Sequence, residues 1–422
     1  MLNYLKRYKP QIGYALYDWA SSPIPALHTT FIFAVYYTST VSPENGSAEW
    51  AWMNALAAIT IACICPFMGA ISDRAASRKT WLAVFSVVGG IATALLWWVE
   101  PDSSWSWYAL IFSFISVVAL ESCFTFYNAL LSSVSTPANI GKVSGFAWAS
   151  GYFACIFSLL ISLVVFIQPE TPPFGLDTAS AEHIRATMPF ATLWFIVFGI
   201  PTFLWVKQSH TVEKSTSVLD TLKAGVRTAK SVPGLLKFLV ARMCYADALV
   251  VLFAFGGIYA ARVFGFSQNE VIVFGIAMNV SAGLGSVAVG WFDDRYGSFR
   301  VLRFSLVCLI FLAFSIVMVT DKYLFWGGAL CLGLFVGPIQ SASRTLVASV
   351  VPKHQSASIF GLYMISGKAT SFVGPFLYGL IFISFKSDRA AMAVGLVFLI
   401  FGLLLLGKKS PGPSEPSHQN AS

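Results

Sequence analysis

Charge is scarce in this chain. Only 11% of its 422 residues are Asp, Glu, Lys or Arg, against 57% hydrophobic, and its mean hydropathy is +0.72. A soluble protein of this length needs far more polar surface. Amphipathic stripes are missing too. The apolar residues come in blocks, and a block of ~18 or more crosses a bilayer as a helix. The chain reads as an all-α polytopic membrane protein.

Other absences narrow the function. The seven cysteines, among them Cys63 and Cys65, all lie in apolar blocks and fit neither a disulfide framework nor a zinc site. Neither a His-Glu-x-x-His motif nor a Gly-x-Ser-x-Gly elbow occurs. The reading is therefore not an enzyme, with no cofactor and no metal. No basic, aromatic-interleaved domain exists for nucleic acid, so the net charge of +8 is a topology signal. A cleavable leader is not apparent. The span after Lys9 is long and carries Asp18, Pro23 and Pro25, as a retained first helix would.

Twelve spans are expected, at roughly 11–38, 49–71, 80–99, 106–132, 143–167, 189–206, 235–261, 268–291, 300–319, 322–350, 357–384 and 388–407. Lys and Arg crowd one set of connections, including Arg74, Arg78, Lys79, Lys142, Arg295, Arg300 and Lys353. By the positive-inside rule both termini are cytoplasmic. The one clear break, with Lys214, Lys223, Arg227 and Lys230, divides the chain. The expected units are a six-helix bundle over 1–206, a linker over 207–234, a second bundle over 235–407 and a disordered tail over 408–422.

The halves repeat each other. GAISDRAASRK (Gly69 to Lys79) returns as GWFDDRYGSFR (Gly290 to Arg300). Gly145, Ser150 and Gly151 return at an offset of 216 as Gly361, Ser366 and Gly367. Tyr17-Asp18 is echoed by Tyr245-Ala246-Asp247. Two homologous bundles in a membrane are the architecture of a secondary transporter. Gly145 and Gly361 read first as close helix contacts.

The loop pair resembles the Gly-x-x-x-Asp-Arg/Lys-x-Gly-x-Arg/Lys-Arg/Lys motif of the major facilitator superfamily. Gly290, Asp294, Arg295, Gly297 and Arg300 match, with Phe299 departing. Gly69, Asp73, Arg74, Arg78 and Lys79 match, with Ala76 in place of the second glycine. YALYDWASSP, FYNALL, GKVSGFAWASGY and FGLYMISGKATSFVGP are similar to the autophagy-related vacuolar amino-acid effluxer family, which has many bacterial members. The resemblance implies a major facilitator fold of twelve helices, an amino-acid-like substrate, a monomer and a bacterial inner membrane.

Ionisable groups inside spans are costly, at roughly 2.5–3.5 kcal/mol each, so each asks for a reason. Lys368 is too deep to snorkel; it either meets a substrate carboxylate or pairs with Asp18, Glu121 or Asp247. Asp18, beside Tyr17, and Asp247 are candidates for a substrate ammonium or a proton, with a gate contact as the alternative for Asp18 and Arg242 as the alternative partner of Asp247. Glu121 and Asn128 are seven residues apart on one helix face. His28 is a lesser candidate, and Arg344 is a further ionisable group toward one end of span ten. Gly69, Asp73, Arg74, Arg78, Lys79, Gly290, Asp294, Arg295, Gly297 and Arg300 are the candidate gating loops, able to latch the cytoplasmic side against a helix N-terminus. The expected function is alternating-access transport of a small solute, amino-acid-like and proton-coupled. The alternatives are an exporter of amphipathic drug- or lipid-like molecules, and a non-transporting sensor or scaffold. The expected partners are the small-molecule substrate and the bilayer.

Overall fold

Lipid offers no hydrogen bonds, so an apolar block must satisfy its backbone internally and coils into helix. The computed structural model describes residues 2–75, 77–207, 217–266 and 268–412, and these are helical with short connections and no strand. In chain order the helices are α1 (Leu2–Ser21), α2 (Gly46–Arg74), α3 (Arg78–Leu95), α4 (Ser106–Val134), α5 (Ile140–Ile161), α6 (Thr187–Trp205) and α7 (Val218–Ser231). They continue with α8 (Leu235–Phe264), α9 (Gln268–Tyr296), α10 (Ser298–Met318), α11 (Lys322–Val350), α12 (Ser356–Lys368), α13 (Val373–Phe385) and α14 (Asp388–Leu406).

Eleven helical stretches among the described residues are long and apolar enough to span a bilayer, and α12 with α13 counts as one of them. The twelfth expected span, over 11–38, is interrupted. After α1 the chain makes a short turn of helix at Pro23–Pro25. It then widens into π turns at Ala26–Phe31 and Tyr37–Val41, on either side of Phe33–Tyr36. Proline removes a donor and clashes with the preceding turn, and π turns mark places where regular winding yields to local packing. Span eleven breaks too: α12 ends at Lys368, and α13 starts only at Val373. Both broken spans face the centre, where irregular backbone is tolerated in a membrane.

In the first half α1 packs on α5 and α6, and α4 on α2 and α3; in the second, α8 packs on α14 and α11 on α9 and α10. Across the halves α2 meets α12, and α5 meets α9 and α11. Those crossings are close because they are built from small residues. A methyl added to Gly361 would lie 2.6 Å from the Cys65 carbonyl oxygen, and one on Gly290 would lie 2.9 Å from the Lys142 Cα. Both crossings lie at the end of the molecule that carries the Asp-Arg loops.

Candidate functional site

The residues joining the two halves form three tiers. The first lies at the loop end. The initial N–H groups of a helix have no partner within it and carry partial positive charge, and the repeated aspartates occupy those positions across the half-to-half boundary. Asp73, at the end of α2, accepts from the Ala357 N–H at 3.1 Å, the Ser358 N–H at 2.7 Å and the Ser358 hydroxyl at 2.8 Å, at the start of α12. Arg78 Nη2 holds the same carboxylate at 2.7 Å and also donates to the Lys353 carbonyl. Asp294, at the end of α9, accepts from the N–H groups of Gly141 (2.7 Å) and Lys142 (3.2 Å), at the start of α5. Lys79 donates to the Phe203 and Val206 carbonyls at 2.7 Å each, closing the end of α6. Arg74, Arg295 and Arg300 are exposed. Gly297 turns the chain at φ 85°, a conformation a side chain resists; its counterpart Ala76 lies outside the described residues.

The second tier is a buried ion pair. Arg344 of α11, 1% exposed, reaches Asp18 Oδ2 of α1 at 3.2 Å. It also donates to the Ser144 hydroxyl at 3.0 Å and the Ser144 carbonyl at 2.7 Å on α5. Tyr127 donates to the same Asp18 oxygen at 2.9 Å. The guanidinium is ringed by Tyr14, Tyr127 and Trp148, with centroids 5.5–5.7 Å away. A desolvated ion pair needs its remaining hydrogen-bonding capacity met, and here the Tyr127 and Ser144 hydroxyls and the Ser144 carbonyl meet it. Tyr17 stacks on Tyr127 and bonds Ser86 at 2.8 Å, and Asn128 is buried beside this layer on α4. Asp18 thus makes a contact with Arg344 across the halves and does not meet Lys368.

The third tier is a cavity of about 270 Å³ on the far side of that pair from the loops. The broken spans line it with Ile24, Pro25, His28, Thr29, Lys368 and Ser371, and α2 and α4 add Asn54 and Glu121. Lys368 Nζ lies 3.0 Å from Glu121 Oε1, and both side chains are partly accessible, at 29% and 27%. The ammonium sits at the C-terminus of α12, where the helix dipole favours a cation. His28 is held by Ser113 at 2.8 Å.

Of the expected residues, Glu121 and Lys368 share this cavity. Asp247 and Arg242 stay apart: Arg242 donates to the Tyr363 carbonyl and the Ser366 hydroxyl at 2.8 Å each and lies over the Tyr363 ring at 3.5 Å. Asp247 is buried beside Thr370, and its Oδ1 meets no geometric hydrogen-bond partner among the described residues. The centre of the middle tier, Arg344, is not among the residues expected from sequence to bind or gate. One pointer was available: it lies 216 residues beyond Asn128, the same offset that relates Gly145 to Gly361.

A family model described as vacuole effluxer Atg22 like matches residues 48–139 and 132–408. An uncharacterized MFS-type transporter, YxiO of Bacillus subtilis, is 26% identical over 95% of this chain and 95% of its own. Autophagy-related protein 22 of Pichia angusta is 22% identical over 79% of this chain and 69% of its own. Among solved structures, the human organic anion transporter MFSD10 is similar at a TM-score of 0.75, covering 95% of this chain and 98% of that one at 13% identity, a likeness of fold alone.

Proposed function

The chain belongs to the Atg22-like vacuole effluxer family and has the twelve-helix major facilitator fold, and from that premise we propose that it carries a zwitterionic, amino-acid-like solute by alternating access. As a member of the superfamily it is an integral membrane transporter and not an enzyme. The observation that carries the finer reading is the Glu121–Lys368 pair. It is the ion pair that faces the central cavity from both halves. A zwitterion can replace each partner's counter-charge at once, its carboxylate on Lys368 and its ammonium on Glu121. An empty cavity then keeps its two charges paired rather than bare.

The state described here is closed at the loop end by the Asp73 and Asp294 contacts and the Arg344–Asp18 pair. With both termini in the cytoplasm of a bacterial cell and the protein a monomer in the inner membrane, the closed end is the cytoplasmic one, as in an outward-facing or occluded state. Opening inward requires Asp73 and Asp294 to release the helix ends they cap. Asp247, buried and without an ion-pair partner among the described residues, is the candidate for a coupled proton.

Counterflow in proteoliposomes with a pool of labelled amino acids tests this. Saturable exchange is expected, weakened roughly 10- to 100-fold by Glu121→Gln or Lys368→Met, the worth of a hydrogen bond to a charged group. An imposed pH gradient should drive uptake by the parent and not by Asp247→Asn. Flux of hydrophobic cations with none of amino acids would instead establish the amphipathic exporter.

A further inference from the structure

Beside the transport path, α7 carries two faces of different chemistry. Its buried stripe is Thr221, Gly225 and Ala229, which seats it on α2 and α12. A methyl on Gly225 would lie 3.1 Å from the Ser358 Cβ, and Thr228 bonds Gln355 at 2.5 Å. Lys223, Arg227 and Lys230 are exposed, at the i, i+4, i+7 spacing of a single face. Arg227 and Lys230 make no hydrogen bond or ion pair among the described residues.

A basic face alone is ordinarily just solvated. Here it borders a groove of about 190 Å³ between α7, α8 and α12, lined by Val226, Lys230, Leu236, Val240, Met243 and Ile365. Lys230 supplies its charge. Leu236 and Val240 are 48% and 43% exposed, on a flank of α8 that in a membrane meets lipid. From Leu236 to Met243 the groove runs about 10 Å along the helix, at 1.5 Å per residue. It therefore starts beside α7 and follows α8 toward acyl-chain depth.

We propose that the groove between α7, α8 and α12, with Lys230 in its lining and Arg227 three residues earlier on the same exposed face of α7, is a binding site for one anionic phospholipid of the adjoining leaflet. The acyl chain lies along Leu236, Val240 and Met243, and the headgroup phosphate meets the two cations. A zwitterionic lipid fits the groove equally well but offers no net charge to the mouth, so the site discriminates by headgroup. The inference does not depend on what the central cavity carries.

Native mass spectrometry of the full chain tests it, with equimolar phosphatidylglycerol and phosphatidylcholine added. Roughly thirtyfold preferential retention of phosphatidylglycerol is expected, since each of the two cations near a lipid surface contributes about 1 kcal/mol. Arg227→Gln with Lys230→Gln should abolish the preference, whereas Lys230→Arg should keep it. Neutralising two cations elsewhere, Lys9→Gln with Arg303→Gln, should leave it intact. Val240→Trp, which fills the groove, should reduce retention of both lipids, with the protein still monodisperse by gel filtration. The proposal is overturned if the parent shows no preference, if the Arg227 and Lys230 variant keeps it, or if the distant pair of substitutions removes it equally. Displacement of the lipid by soluble glycerol phosphate would show headgroup capture without the groove, and would overturn the site as described.

Discussion

At the scale of residues, two ion pairs among the described residues cross between the halves inside the membrane, and burial sets them apart. Arg344 and Asp18 are enclosed, with side chains 2% and 4% exposed, whereas Lys368 and Glu121 stand open to a cavity. Removing one member of an enclosed pair strands the other charge, a cost of about 3–5 kcal/mol. Arg344→Met should therefore lower the unfolding temperature in detergent sharply, and Asp18→Asn added to it should recover part of the loss. If Arg344→Met melts with the parent, the guanidinium does not hold the halves together. Lys368→Met frees a charge that water can reach, so its stability should change by less than about 1 kcal/mol. Its effect should appear in transport instead. A Lys368→Met protein as unstable as Arg344→Met would assign Lys368 to the scaffold.

At the scale of elements, the crossing of α2 with α12 has no room for a side chain at Gly361. Gly361→Leu overpacks it by about 1–3 kcal/mol, and prying the helices apart relieves the strain. Spin labels at Ala75 and Lys353, on a cysteine-free background, should then report a longer distance at the loop end; an unchanged distance would mean the crossing is not the moving contact. This scale also shows how far sequence carries. Apolar blocks, the Asp-Arg loops and the small residues of span eleven are local patterns, and they were legible before any fold was known. Lys368 announced itself by its depth, but it had three candidate acids, and only the packing of α4 against the broken span selects Glu121. The pairing of Asp18 with Arg344 joins positions 326 residues apart, which no local pattern records. Pro23 and Pro25 hinted at the irregular first span, but its π turns depend on what packs beside them.

At the scale of the whole molecule, the proposed closure rests, beside the Arg344–Asp18 pair, on two related contacts, one from each half, at the same end. Asp73 and Asp294 grip different helices and share no partner. Each of Asp73→Asn and Asp294→Asn should shift the population toward opening at that end. The free-energy shift of the double variant should equal the sum of the two within about 0.5 kcal/mol, as for independent sites. Spin-label distance distributions supply the populations, and a double variant no more open than either single one would make the two contacts a single device. Four of the groups these aspartates grasp across the boundary are main-chain N–H groups of Ala357, Ser358, Gly141 and Lys142. Every residue but proline offers such a group. Those four donors therefore survive a change of side chain, although Ser358 adds its hydroxyl to Asp73 and a methyl on Gly141 would lie 2.6 Å from the Asp293 Cβ. Pairwise co-variation between homologous sequences will therefore under-report the contacts proposed here to set when the transporter opens, because most of their donors belong to the main chain.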